Sequence, residues 1–212
     1  MGHRTPNRVL LFVAAAVVGA GVGWRWLGLG HPWADLTGRG GRPGPASRPA
    51  GWAVPVGRPG LPNLHRVSKH LYRGAQPDET GVRELAALGV RTVVNLRLTH
   101  SDRELLDGTG LGYEHIRMEA WDADTDEVVR FLRIVTDPDR LPVFVHCRHG
   151  ADRTGTMCAI HRMVVQDWTA DEAIREMTEG GYGYHETFKN LVEYLREVDL
   201  DRLRRQAGLA GQ

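Results

Sequence analysis

The chain has 212 residues, and its 27 Lys and Arg against 26 Asp and Glu leave a formal net charge of +1. That near balance argues against a nucleic-acid partner, and the length suffices for one domain with a real core plus an extra segment. With two cysteines in all, a disulfide scaffold is excluded. Charge is unevenly spread: before residue 61, Arg4, Arg8, Arg25, Arg39, Arg42, Arg48 and Arg58 face the single acid Asp35.

Residues 9–23 are apolar throughout and follow a short basic start. A bilayer needs about 20 such residues, and Trp24, Trp26 and Leu27 extend the run, with the two Trp suited to the interface. Two readings stand: an uncleaved N-terminal anchor, which is preferred, or a secretory signal cut after a small residue near Ala20. Both put residues 1–27 in contact with a membrane and send the rest of the chain out of the cytoplasm. Residues 28–60, rich in Gly, Pro, Arg and Ala with no apolar period, read as a flexible linker. A folded domain is expected over 61–206, with a tail at 207–212.

From Leu61 the pattern turns globular. Asn63–Arg73 predicts one or two short strands, Gly74–Pro77 a turn, and Asp78–Leu88 a helix closed by Gly89. Val90–Leu96 is a buried strand, Asp102–Leu106 a short helix and Tyr113–Met118 another strand. After the loop Glu119–Thr125, a helix is expected over Glu127–Val135 with Asp126 as its N-cap. Val143–Val145 is a strand, and a helical stretch opens at Thr154, where Met157, Ile160, His161, Val164 and Val165 share one face. Thr169 and Glu172 form a capping box for a helix from Ala170 to about Thr178. Gly180–Tyr184 breaks it, and a last helix covers about Glu186–Val198. Alternating strands and helices predict an α/β fold with a central, mostly parallel sheet flanked by helices, whose ligand site lies at the strands' carboxyl ends.

Between the strand ending at Val145 and the helix opening at Thr154 lies His146-Cys147-Arg148-His149-Gly150-Ala151-Asp152-Arg153. A strand that stops just before a helix start aims several backbone N–H groups at one point, where the helix dipole also favours negative charge. Such a nest takes a phosphate-sized anion. Gly150 lets the backbone turn tightly beside it. A helix N-terminus and nearby arginines favour the thiolate form of a cysteine, so Cys147 is a candidate nucleophile. Arg153 can grip two oxygens of a phosphoryl group in a fork. Attack of sulfur on phosphorus would give a phosphocysteine that water then hydrolyses.

His-Cys, five residues, then Arg-Thr-Gly resembles the phosphate-binding loop of the cysteine-dependent protein tyrosine and dual-specificity phosphatases. Leu71–Pro77 and Val90–Arg97 extend the similarity to the bacterial dual-specificity-type enzymes, relatives of a plant and fungal group, over about residues 63–205. The resemblance implies the protein tyrosine phosphatase-like fold and no cofactor. It makes Cys147 the nucleophile and Arg153 the clamp, with the amides of Arg148, His149, Gly150, Ala151, Asp152 and Arg153 as the cradle. The implied substrate is a phosphorylated protein, through phosphotyrosine or phosphoserine and phosphothreonine; the alternative is an inositol phosphate or phosphoinositide.

The departing oxygen needs a proton, which in this family comes from an Asp on the loop before the preceding helix. Asp122, Asp124 and Asp126 are available; with Asp126 assigned to the helix cap, Asp124 is the first choice and Asp122 the second. Thr154 is placed to hydrogen-bond the sulfur, and His146 to bond backbone near Cys147. Asp152 would repel a dianion if it faced inward, so an outward structural pairing with an Arg is favoured. His149 is a candidate substrate contact at the rim. Arg97 supports the site or pairs with Asp102 or Glu104. Tyr182, Tyr184 and His185 either line the pocket or pack in the core. Cys158 reads as a small core residue, its alternative being a disulfide with Cys147. No second Cys/His pair lies at zinc-site spacing, so no metal is expected.

Overall fold

The computed structural model describes residues 48–210. The expectations for residues 1–27, and for the linker as far as residue 47, lie outside the described residues. The strands are β1 (Val54–Pro55), β2 (His65–Arg66), β3 (Leu71–Gly74), β4 (Thr92–Arg97), β5 (Gly112–Met118) and β6 (Val143–His146). They form one sheet in the order β1-β2-β3-β6-β4-β5. The pairs β3–β6, β6–β4 and β4–β5 are parallel, while β1–β2 and β2–β3 are antiparallel. The expected mostly parallel sheet is therefore present.

β4 and β6 lie inside the sheet with helices on both faces, which explains their unbroken rather than alternating apolar character. On one face pack α3 (Thr125–Thr136), α4 (Asp152–Val165), α5 (Ala170–Glu179), α6 (Lys189–Glu197) and α7 (Leu200–Ala207), through Phe131, Ile160, Met163, Leu195 and Leu203. On the other, α1 (Glu79–Ala87) and α2 (Arg103–Leu106) contribute Val82, Leu85 and Leu106 to a cluster with Val93 and Phe144. α4 is the central helix, buried at every residue from Thr154 to Val164. Gly74, His146 and Asn95 stand side by side in register, so the strands' carboxyl ends converge where β6 gives way to the loop before α4.

Several boundaries differ from expectation by more than a residue or bear on the site. The domain starts well before residue 61: Arg48 donates to the Ala53 carbonyl at 2.9 Å and the Gly180 carbonyl at 2.6 Å, Ala53 is 1% exposed, and β1 extends the sheet. One arginine and a two-residue strand held by distant partners leave no periodic trace. α4 begins at Asp152 rather than Thr154. α3 is capped by Asp124, not Asp126: its carboxylate accepts from the Asp126 amide at 2.7 Å, and Glu127 completes a capping box. The last expected helix is a 3-10 turn (Glu186–Phe188) followed by α6; α7 then follows, with Asp199 at its N-terminus and left-handed Gly208 closing it. The expected tail at 207–212 thus opens with a helical residue, Ala207, and Leu209 packs against the core. Among the described residues no helix is long and apolar enough to cross a membrane.

Candidate active site

The loop from Cys147 to Ala151 joins the innermost parallel strand to the most buried helix, so both ends are fixed. Cys147 is buried, 2% exposed, where β6 ends. Gly150 has φ +70°, and a Cβ there would lie 2.4 Å from the Gly74 carbonyl carbon; only glycine lets the loop close on the end of β3. Among the described residues, the backbone N–H groups of Arg148, His149, Gly150 and Ala151 donate to no protein acceptor. Four unspent amides beside a buried thiol, at a helix N-terminus, form an anion nest.

The carbonyls of the same loop are spent on the protein. Arg73, 1% exposed on β3, donates from Nη2 to the Gly150 carbonyl at 2.8 Å and the Ala151 carbonyl at 3.4 Å. Its guanidinium lies 3.7 Å from the ring centre of buried Tyr182, whose hydroxyl donates to Glu176 Oε1 at 3.2 Å. The Gln76 amide donates to the Arg148 carbonyl at 3.3 Å, and Asn63 Nδ2 to the His149 carbonyl at 3.0 Å. Arg153 is tied by Nη1 to the Leu96 and Met118 carbonyls, at 3.4 and 3.3 Å, where β4 and β5 end.

Behind Cys147, His146 is wholly buried, stacked on Phe144, with Nδ1 3.3 Å from the Cys147 carbonyl, the backbone contact expected of it. Its Nε2 is 2.8 Å from Oδ2 of Asp102, itself 0% exposed. Oδ1 of Asp102 accepts from Gln76 Nε2 at 2.7 Å, and His100 Nε2 stands 3.4 Å away. Burial presses the Asp102 carboxyl upward, but the His146 hydrogen bond and charge, with Gln76 and His100, outweigh it and hold it below its ordinary value. Arg97 donates to Gln76 Oε1 at 3.0 Å rather than to Asp102 or Glu104. Burial, then Arg148 and Arg153, lower its affinity for its proton, while Asp102 and Cys147 oppose them.

At the rim Asp152 turns away from the cradle, and its partner is a histidine rather than an arginine. Its Oδ1 accepts from the His185 amide at 2.9 Å and its Oδ2 lies 2.8 Å from His185 Nδ1. The His149 and His185 rings are 5.6 Å apart, and partial burial, Arg148 and His185 lower the proton affinity of His149. Tyr182 belongs to the core, and Tyr184 donates to the Phe188 carbonyl. Asp124 is committed to the α3 cap; Asp122, also exposed, accepts among the described residues only from the adjacent Ala123 amide. The hydroxyl of Thr154 is buried and has no hydrogen-bond partner among the described residues. Cys158 is a free, buried thiol that burial pushes up to about 11, as befits a core residue. Sequence reasoning missed the two supports behind the loop: Arg73 stood inside the Leu71–Pro77 stretch with no assigned role, and Asp102 was read only as a helix start or a partner of Arg97.

Comparison with known proteins agrees with this geometry. Residues 61–190 match the family model described as DSP-PTPase phosphatase fused to NAD+ kinase. The dual specificity protein phosphatase TpbA of Pseudomonas aeruginosa is 35% identical over 205 residues, covering 95% of this chain and 86% of that protein. A crystal structure of a TpbA variant in complex with pTyr superposes with a TM-score of 0.68 at 35% identity, over 78% of this chain and 99% of that one. The catalytic core of the PP-IP phosphatase SIW14 from S. cerevisiae shares the fold, with a TM-score of 0.62 at 19% identity over 72% and 94% of the two chains. A buried cysteine in a cradle of unspent amides, on this sheet and with these relatives, assigns the chain to the cysteine-dependent dual-specificity phosphatases.

Proposed function

We propose that the enzyme removes phosphate from phosphotyrosine, and from phosphoserine or phosphothreonine, through a phosphocysteine at Cys147. The observation that carries this reading is the set of free amides from Arg148 to Ala151 around that buried sulfur. Three phosphoryl oxygens sit among those amides and the Arg153 fork, which stabilises the charge that spreads over them in the transition state. Sulfur attacks phosphorus in line with the departing oxygen, and that oxygen takes a proton. The elimination that set Asp126 aside now applies to Asp124, which caps α3, so Asp122 is the proposed acid. Water then cleaves the S–P bond, and the unspent Thr154 hydroxyl is free to turn toward the departing thiolate. The full chain is tested on p-nitrophenyl phosphate and on phosphotyrosine, phosphoserine and phosphothreonine peptides. Turnover abolished by Cys147→Ser supports the reading; turnover that survives it refutes it.

A second reading, hydrolysis of an inositol phosphate or phosphoinositide, is favoured by positive charge around the cradle. Arg97 feels both Arg148 and Arg153, and His149 and His185 face each other at the rim. A panel of inositol phosphates run beside the phosphopeptides decides between the two by kcat/KM. The proposal includes an N-terminal membrane anchor at residues 9–23; recovery of the full chain in the soluble fraction of its own cells would remove it.

A further inference from the structure

The N–H and C=O of a trans peptide point in opposite directions, so a group that grips a carbonyl aims the next residue's amide. Gln76 at the Arg148 carbonyl aims the His149 amide, Asn63 at the His149 carbonyl aims that of Gly150, and Arg73 at the Gly150 carbonyl aims that of Ala151. Arg73 is the most indirectly held of the three. It is 1% exposed, and its Nε has no hydrogen-bond partner among the described residues. Apart from the loop carbonyls, its guanidinium rests on the face of Tyr182, 3.7 Å from the ring centre. A planar cation stacked on a ring follows the position of that ring.

Tyr182 is fastened in turn from the start of the described chain. Arg48, well ahead of Leu61, donates from Nη2 to the Gly180 carbonyl at 2.6 Å and from Nη1 to the Tyr182 hydroxyl at 3.4 Å. Its guanidinium lies 5.5 Å from the centre of the same ring, so two arginines share one aromatic side chain. The Tyr182 hydroxyl donates to Glu176 Oε1, which also takes the Ala53 amide at 2.6 Å, so this grip too leads back to the segment Arg48–Ala53. Gly181 and Gly183 flank the tyrosine, both at positive φ, and such a turn is placed by what grips it rather than by its own stiffness.

We infer that Arg48 is a positioning residue of this phosphatase. It fixes the Tyr182 ring, the ring fixes the Arg73 guanidinium, and Arg73 keeps the Gly150 and Ala151 carbonyls turned away from the bound anion. Loosening Arg48 lets the Ala151 amide swing without touching Cys147 or Arg153.

The role in turnover rests on the phosphatase reading, but the cradle's affinity is measurable without turnover. Full-length protein is titrated by isothermal calorimetry with tungstate, a tetrahedral dianion of phosphate's shape, at a temperature where circular dichroism shows every variant folded. Arg48→Met keeps the aliphatic stem and loses the donors; it binds tungstate about fivefold more weakly than the parent. Tyr182→Leu also weakens binding, and in that background Arg48→Met adds no further loss. Gly108→Ala, strained at a turn remote from the loop, binds as the parent does, which separates the relay from a general loss of stability. If Tyr182→Leu does not fold, Arg48→Met compared with Gly108→Ala carries the test. Parental affinity in Arg48→Met, or losses that add in the double variant, overturn the inference. A parent enzyme that shows these affinities yet hydrolyses no phosphate ester overturns the functional reading and leaves the relay standing; a parent that binds no tungstate overturns both.

Discussion

Gly150→Ala tests whether the cradle's shape is set by its approach to β3. The added Cβ would lie 2.4 Å from the Gly74 carbonyl carbon, 2.5 Å from its oxygen and 2.7 Å from the Ala75 nitrogen, all backbone atoms that no rotamer change can move. Gly74 has no room to retreat, since a Cβ of its own would already stand 2.8 Å from the Phe144 ring. Holding alanine at φ +70° costs about 1 kcal/mol, and overpacking a rigid contact costs about 1–3 kcal/mol more. Gly108→Ala isolates the first contribution: its φ is also +70°, but nothing lies within 4 Å of the added atom. In urea denaturation Gly150→Ala should lose roughly 2–4 kcal/mol and Gly108→Ala about 1 kcal/mol. If the loop relieves the clash by shifting, part of the loss moves into kcat, where a displacement of about 1 Å is worth about a hundredfold. Equal stability losses in the two variants, together with parental kcat in Gly150→Ala, would refute the reasoning.

Glu176→Ala removes the acceptor of Arg162 Nε and Nη2, at 2.7 and 2.8 Å, and of the Ala53 amide at 2.6 Å, leaving a buried guanidinium without its counter-charge. The expected loss is about 3–5 kcal/mol in denaturant melts, and less than 1 kcal/mol would contradict a buried pair. Burial, with Arg162 adding to it, pushes His161 from 6.5 down to about 4, so below its ordinary value the unfolded chain binds the extra proton and stability falls as pH drops through that window. His161→Leu should remove roughly 3 kcal/mol of that acid sensitivity, read as the change in the parent-to-variant stability difference between about pH 7 and pH 4; an unchanged difference would refute it. Asp122→Asn should slow an alkyl phosphate far more than an aryl one, whereas Asp124→Ala should cost about 1 kcal/mol of stability with kcat unchanged. The reverse pattern would return Asp124 to the role of acid.

The cradle was legible because its parts are consecutive: a buried strand, a thiol, a glycine, an arginine and a helix start need only local spacing to be recognised. The sheet was legible for a related reason, since β4 and β6 are covered on both faces and read as unbroken apolar runs. What the sequence hid is held by side chains from distant segments. Nothing around Arg48 announces that its partners lie at Gly180 and Tyr182, and nothing around Asp102 points to His146. The general acid is hard to read for a different reason. Three aspartates alternate through 122–126, each a good cap, and the choice among them depends on where α3 begins, a boundary that propensity fixes only to within a residue or two.

Several of the polar groups this fold buries stand around one loop. Arg73 takes its outward carbonyls, Tyr182 and Glu176 stand behind Arg73, Asp102 and His146 stand behind its cysteine, and Asp152 is drawn outward by His185. Each of these contacts gives a buried polar group a partner on the loop or on its supports. An anion site made of backbone amides works only if the carbonyls of the same peptides are kept facing away, because the two cannot be oriented independently. The buried arginine is what fixes that orientation, and the exposed residues of the loop are then left free of structural duty. Arg148 and His149 are both exposed, and on the proposed reading selection among phosphate esters falls to them and to His185, while the chemistry common to all such esters is set from behind. Substitutions at the rim should therefore change which substrate is preferred with little change in kcat for p-nitrophenyl phosphate, and substitutions at the supports should do the opposite.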